Sequence, residues 1–391
     1  MHVITLENCH LINSTVSGER AGGLIGWCSG YAKLNDGPVK AYVTIKNCSV
    51  VDSTVIGNGS AGGIAGHPGA SDYTYTTIED CIVKNVDVIS HEPVSSWRTG
   101  AIVGTANNGH VVINNVTVED VTLTQDGVTA TETKLYGRFV PSGTGTLVID
   151  GVTVVTSSDM LKAALSSDAE NISVALANDI SVDIGTGWKI GGANTKSVKI
   201  DGCGKVLTLS NTYRSYFNLA NADGVLYLED MTLTNAHNGT HFFDYTTHFN
   251  CDVVAEKVNF QKAPLVTAGS TAVFTDCEYN QPSVDGYGLW VMSGADVTVN
   301  GGVVNSERGF KIADEDSATA ATTLKVSGTK FNNTEKAAIL VTTKHGATIT
   351  LNNVDITNCG ADSTNEVWID EDRTAYAGSI TVNGGNVINE P

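Results

Sequence analysis

Proline is scarce, with 7 in 391 residues, and so is positive charge: 23 lysines and arginines stand against 42 acidic residues, a net charge of -19. The few cations never gather into a basic block. Phosphate backbones and anionic lipid are bound by clustered Lys and Arg, so neither nucleic acid nor an anionic membrane surface is expected as a partner. No apolar run approaches the roughly 20 residues that a spanning helix needs, so no membrane insertion is expected of this stretch. A leader is also missing, since Met1-His2 runs straight into a strand pattern. The expectation is a fragment of a longer exported protein. Eight cysteines contain no Cys-x-x-Cys pair, which removes the usual zinc spacing.

What is present in quantity is glycine, 41 residues, together with Val, Thr, Ile and Asn, a composition for strands and turns. A short unit recurs thirteen times. Its apolar anchors are Leu6, Ile45, Ile78, Ile113, Ile149, Ile200, Leu228, Ala255, Phe274, Val299, Val326, Leu351 and Val382. Two residues after the anchor stands Asn, Asp or Gly in twelve of the thirteen, Lys257 being the exception. These residue types tolerate the left-handed backbone conformation. Five residues after the anchor the chain is apolar again, except at Lys205. Each unit therefore reads as inward residue, left-handed bend, inward residue, with no hairpin. Units of this size cannot bury an apolar face alone and must stack. The predicted fold is all-β, a right-handed parallel β-helix solenoid. A β-sandwich would call for Asn-Gly hairpins, which are scarce.

Five cysteines, Cys9, Cys48, Cys81, Cys203 and Cys277, fall three residues after their anchors, where other units place Val or Met. A position that accepts Cys, Val or Met is an interior one, so these are expected to form a buried row of free thiols.

A domain boundary is expected near residue 156, the alternative being one continuous solenoid with an inserted helix. Residues 1–156 have long repeats, each with a second signature: Ala21-Gly22-Gly23-Leu24-Ile25-Gly26, Ala61-Gly62-Gly63-Ile64-Ala65-Gly66, and weaker copies at Thr99–Gly104 and Lys134–Gly137. These segments resemble the GLUG motif of bacterial surface proteins and adhesins. The resemblance implies export, display at the cell surface and binding of a host or environmental glycan or surface protein; it brings no catalytic residues. Loops expected at 29–40, 67–76, 91–98 and 124–133 hold or border Trp27, Tyr31, Tyr73, Tyr75 and Trp97, aromatics suited to stacking on sugar rings, or simply to covering the repeat edges.

Residues 158–168 carry the one clear helical pattern, with Ser157 or Ser158 as cap and Met160, Leu161, Ala164 and Leu165 as its apolar stripe. A short amphipathic helix followed by strands resembles the cap that opens many pectin-lyase-like β-helices. Residues 157–391 are then a second solenoid, stacked on the first or in tandem with it, with tighter repeats. That resemblance implies polysaccharide lyases and glycosidases as the alternative function. The residues that would carry it are Arg308, Lys311, Asp314 and Asp370, with Lys344 between. The same segments read equally as solvated loops whose charges pair. No cofactor is required by the leading reading, although calcium is a candidate for the acidic loops. Three histidines in 237–248 are assigned to a polar loop rather than a zinc site.

Overall fold

In a computed structural model the chain is all-β, built overwhelmingly from parallel strands, with one α-helix among the described residues. The structure describes residues 1–29, 33–34, 37–141, 143–185, 187–210, 215–236, 246–281, 286–314, 320–332, 338–343, 345–357, 367–369 and 379–386. The chain forms two compact units, Met1–Thr156 and Ser157–Pro391.

In the first unit the anchors are in register on neighbouring parallel strands. Leu6 of His2–Glu7 pairs with Ile45 of Ala41–Lys46, then Ile78 of Thr74–Glu79, Ile113 of His110–Asn114 and Ile149 of Thr146–Ile149. Alternate residues point inward, so Val43, Ile45, Val111 and Ile113 are buried while Tyr42 and Thr44 face out. After each bend a second parallel sheet follows, Thr15–Gly22, Ser49–Gly62, Ile82–Ser90 and Thr117–Gln125. A third has four short strands, Ile25–Trp27, Ala65–His67, Val103–Thr105 and Tyr136–Arg138.

In the second unit the anchors run in register from Ile200 through Leu228, Ala255, Phe274, Val299, Val326 and Leu351 to Val382. A second parallel sheet runs Ser215–Phe217, Thr246–Phe249, Ala263–Val266, Tyr287–Met292, Arg308–Ala313, Ile339–Val341 and Val367–Ile369. Between them the core is an aromatic column, in which Phe260, Tyr279, Phe310 and Phe331 meet at centroid distances of 5.7, 5.1 and 5.0 Å. On the outside Asn280 donates to Asn259, Asn305 to Asn280 and Asn332 to Asn305, so side-chain amides repeat the hydrogen bonding of the backbone ladder. The helix occupies Ser158–Leu165; the Ser157 hydroxyl accepts from the Met160 amide, and Leu161 and Leu165 are buried. Of the expected apolar stripe, Met160 and Ala164 are only partly covered.

The bend is left-handed where the pattern requires it. Positive φ occurs at Asn8, Asn47, Asp80, Asn115, Asp230, Asp276 and Asn353, at the glycines of four other units, and at the exception Lys257 (φ 53). Three departures have local causes. At the unit anchored on Ile200, Gly202 is not the left-handed residue; Cys203 and Gly204 are, and the register shifts between Asp201 and Lys205. Two extra residues sit in that bend, so Lys205 pairs with Met231, and Leu207, not Lys205, is the residue that goes inward. Cys203 is consequently exposed, which corrects the expected thiol row; Cys48, Cys81 and Cys277 are buried in it and Cys9 partly so. At Ile149 the bend is replaced by a hairpin: Thr146–Ile149 pairs antiparallel with Val152–Val155 across Asp150-Gly151, both at positive φ. Finally, the first unit has a second row of left-handed residues, Asn13, Asp52, Asn85 and Asp120, each five residues after the first bend.

Candidate functional site

Strand register decides which side chains meet on the outer faces. In the first unit Val3, Tyr42, Tyr75, His110 and Thr146 form one outward row. Neighbouring strands lie about 4.8 Å apart, close to a stacking distance. Accordingly Tyr42 and Tyr75 stack at 5.1 Å and Tyr75 and His110 at 4.5 Å, each pair inclined by 18°. All three rings are partly exposed, and His110 Nδ1 lies 3.0 Å from the Thr146 hydroxyl. The Lys40 ammonium sits 5.1 Å from the Tyr75 ring, and hydrogen bonding to Tyr75 raises its pKa. Tyr75 therefore belongs to strand Thr74–Glu79, and Trp27 to strand Ile25–Trp27, not to loops as expected from sequence. Tyr73 is exposed just before that strand and its carbonyl accepts from the Ala41 amide. Tyr31 lies outside the described residues.

The glycine signatures form a corner where backbones touch. A Cβ on Gly62 would come within 2.1 Å of the Ala65 carbonyl oxygen, and one on Gly63 within 2.0 Å of that of Ala101. Only glycine permits this approach. The residues flanking the signatures are thereby brought together. Arg20 is in register with Ser60, Trp27 with His67, and Thr105 with Arg138. The Arg20 guanidinium lies 4.7 Å from the Trp27 ring. Arg98 Nε and Arg138 Nη1 both donate to the Ser96 hydroxyl, at 3.1 and 2.9 Å. The turn that carries Ser96 is pinned by the buried Gln125, whose amide oxygen accepts from the Arg98 amide and the Thr99 hydroxyl and whose nitrogen donates to the carbonyls of Pro93 and Ser96. Burial, reinforced by Arg20 and Arg98, pushes the His67 pKa down to about 4, so the ring is neutral at pH 7. Trp97 is half-buried here, its Nε1 donating to the Thr99 carbonyl at 2.8 Å with the Lys134 ammonium 5.1 Å from its ring.

In the second unit Arg308 and Lys311 are drawn to aromatic rings. Arg308 Nη1 donates to the Tyr287 hydroxyl at 2.9 Å, and Lys311 Nζ is 4.5 Å from the Trp290 ring. Tyr287 and Trp290 are themselves buried in an apolar cluster with Leu265 and Met292. Cations so placed gain from the ring quadrupole and shield apolar surface. Asp314 follows the strand and accepts from the Thr343 hydroxyl at 2.5 Å. Asp370 and Lys344 lie outside the described residues, as do His237 and His241. Among the described residues no group of three His, Cys, Asp or Glu side chains is placed to hold a metal ion.

A polar groove of about 510 Å³ opens elsewhere in the second unit, lined by Lys189, Asn218, Asn250, Cys251, Asp252 and Thr267 among others. Asn250 donates to Asn218 at 2.8 Å within it. Its thiol is not a nucleophile at neutral pH, since burial pushes Cys251 up to about 12.

Sequence reasoning missed the arginine-lined corner, the second bend row and this groove. The second row was visible as Asn or Asp five residues after the first. The corner needed the strand register. No protein-family model matches the chain, and neither a curated protein nor a solved structure matches it.

Proposed function

We propose that the chain is a module of an extracellular bacterial surface protein, of the adhesin type, that binds glycan or protein ligands or serves as a display stalk. Each unit is read as a right-handed parallel β-helix, the second opening with the helix Ser158–Leu165 as its cap. The glycine signatures carry the resemblance to surface proteins. The observation that carries the binding reading is the outward row Tyr42–Tyr75–His110, half-exposed rings held at fixed spacing by the strand ladder beneath them. A preordered platform loses little conformational entropy when a ligand lies along it. Aromatic edges with hydroxyl tips suit a sugar or a polar protein surface.

The alternative is a polysaccharide lyase or glycosidase in the second unit, carried by Arg308, Lys311 and Asp314. The engagement of Arg308 and Lys311 with Tyr287 and Trp290 favours a packing duty for both.

The test is binding to an immobilised glycan panel by the intact chain and by Tyr75→Ala, which removes the middle ring. The reading expects binding that weakens about ten-fold or more in the variant, in line with the ~1.5 kcal/mol that a stacked ring contributes. Undiminished binding by the variant would remove the ring row as the binding face.

A further inference from the structure

The glycine corner gathers positive charge in an acidic protein. The first unit has three arginines, Arg20, Arg98 and Arg138, and all three flank the glycine signatures. Arg98 and Arg138 share the Ser96 hydroxyl, and Arg20 and Arg98 both act on the His67 ring. Among the described residues one carboxylate answers them, Glu92 at 3.7 Å from Arg98. Among the described residues Arg20 and Arg138 have no carboxylate within ion-pair distance.

Two polar side chains at the same place lack partners. His67 Nε2 is buried without a hydrogen bond, and so is the Thr105 hydroxyl, on a residue that is 2% exposed. Buried polar atoms are normally satisfied, and leaving one unmade costs about 1–3 kcal/mol. Thr105 is in register with Arg138, and its strand runs beside the strand of His67. With the ring proton on Nε2, His67 joins the Thr105 hydroxyl as an unpaired donor, and both lie at one corner with the under-compensated guanidinium groups. An acceptor with several oxygens and a negative charge would satisfy both at once, because the guanidinium fork matches carboxylate, sulfate and phosphate geometry.

We propose that Arg20, Arg98 and Arg138, with His67 and Thr105, form a binding site for a compact oxyanion, of the carboxylate or sulfate type that acidic saccharides carry. The site stands on the geometry of the corner and does not depend on the ring row. Gln125 acts as a positioning residue, since it holds the turn that carries Ser96 and so sets where Arg98 and Arg138 point. The Arg20–Trp27 contact places a flat apolar ring at the edge of the site, where the body of a larger ligand would lie.

The experiment uses the full chain labelled with nitrogen-15 at histidine. Sodium sulfate is titrated against sodium chloride at equal ionic strength while the His67 ring resonances are followed. A bound anion opposes the effect of the arginines, so the expected result is a saturable shift of the His67 signals and a titration midpoint raised above its anion-free value. Arg138→Gln should weaken sulfate about ten-fold, the loss of one charge-assisted hydrogen bond. Because Arg138 also holds Ser96, Arg20→Gln is the companion variant, which leaves that turn untouched and should weaken sulfate as well. Oligogalacturonate forms the second arm: competition with sulfate assigns the site to an acidic saccharide, and sulfate saturation alone assigns it to a small free oxyanion. Sulfate also stabilises proteins without binding, by exclusion from their surface. A response that never saturates, or one equal in wild type, Arg20→Gln and Arg138→Gln, would overturn the proposal.

Discussion

The ring of Tyr279 lies 5.7 Å from that of Phe260 and nearly parallel to it, and its hydroxyl, fully buried in the aromatic column of the second unit, has no hydrogen-bond partner. Burial accordingly drives its pKa well above the ordinary range. The ring packs well and the oxygen does not. Tyr279→Phe keeps the stacking and removes the unsatisfied group, so stability should rise by about 1 kcal/mol. Urea denaturation checks it; a loss of stability would mean that the hydroxyl has a partner.

Lys257 holds a left-handed backbone conformation, φ 53, in a place where other units use Asn, Asp or Gly. A side chain with a Cβ is disfavoured there by about 1–2 kcal/mol. Lys257→Gly should therefore stabilise the protein by about 1 kcal/mol after the entropy of the added glycine is counted. The substitution gives up an exposed contact with Glu256, which is worth little; urea denaturation of wild type and variant measures the difference.

Gly63 and Gly18 separate the two uses of glycine in the first unit. A methyl on Gly63 meets the Ala101 carbonyl at 2.0 Å, whereas on Gly18 it meets nothing within 4 Å. Gly63→Ala should cost about 3 kcal/mol, because backbone and not a movable side chain must give way. Gly18→Ala should stay within about 0.5 kcal/mol of wild type. Thermal unfolding of the pair measures the difference.

His67 makes stability depend on pH in a stated window. Its folded pKa is pushed down to about 4 from an ordinary 6.5. Between those values the unfolded chain binds the proton and the folded chain does not, so stability falls as pH drops from 6.5 towards 4 and levels off below. The loss is on the order of 2 kcal/mol, discounted because the ring is partly open to solvent. Denaturation at pH 7 and pH 4.5, in wild type and in His67→Gln, checks it: the variant should show the shallower dependence.

Much of the architecture was legible in the chain, for a physical reason. The left-handed bend admits few residue types, so Asn8, Asn47, Asp80 and their counterparts mark it in the letters themselves. The failures have equally local causes. A bend with two extra residues looks, in letters, like an ordinary one followed by a misplaced Lys205, and that makes Cys203 look interior. Asp150-Gly151 is a good hairpin signal, yet it sits where the repeat predicts a bend. Tyr75 and Trp27 stand in segments whose letters suggest loops, and it is the strand register that places them on strands. The arginine corner was not legible at all. Arg20, His67, Arg98 and Arg138 are far apart in sequence, and nothing in any one of their segments says that the strand ladder sets them on successive repeats at one corner.

The measurement that bears most directly on the proposed function is binding and turnover on one glycan panel, with calcium present and absent. Binding without cleavage products is the predicted result, since Arg308 and Lys311 rest against Tyr287 and Trp290. Cleavage products, or a rising absorbance from unsaturated uronates, would contradict the account and move attention to Arg308, Lys311 and Asp314.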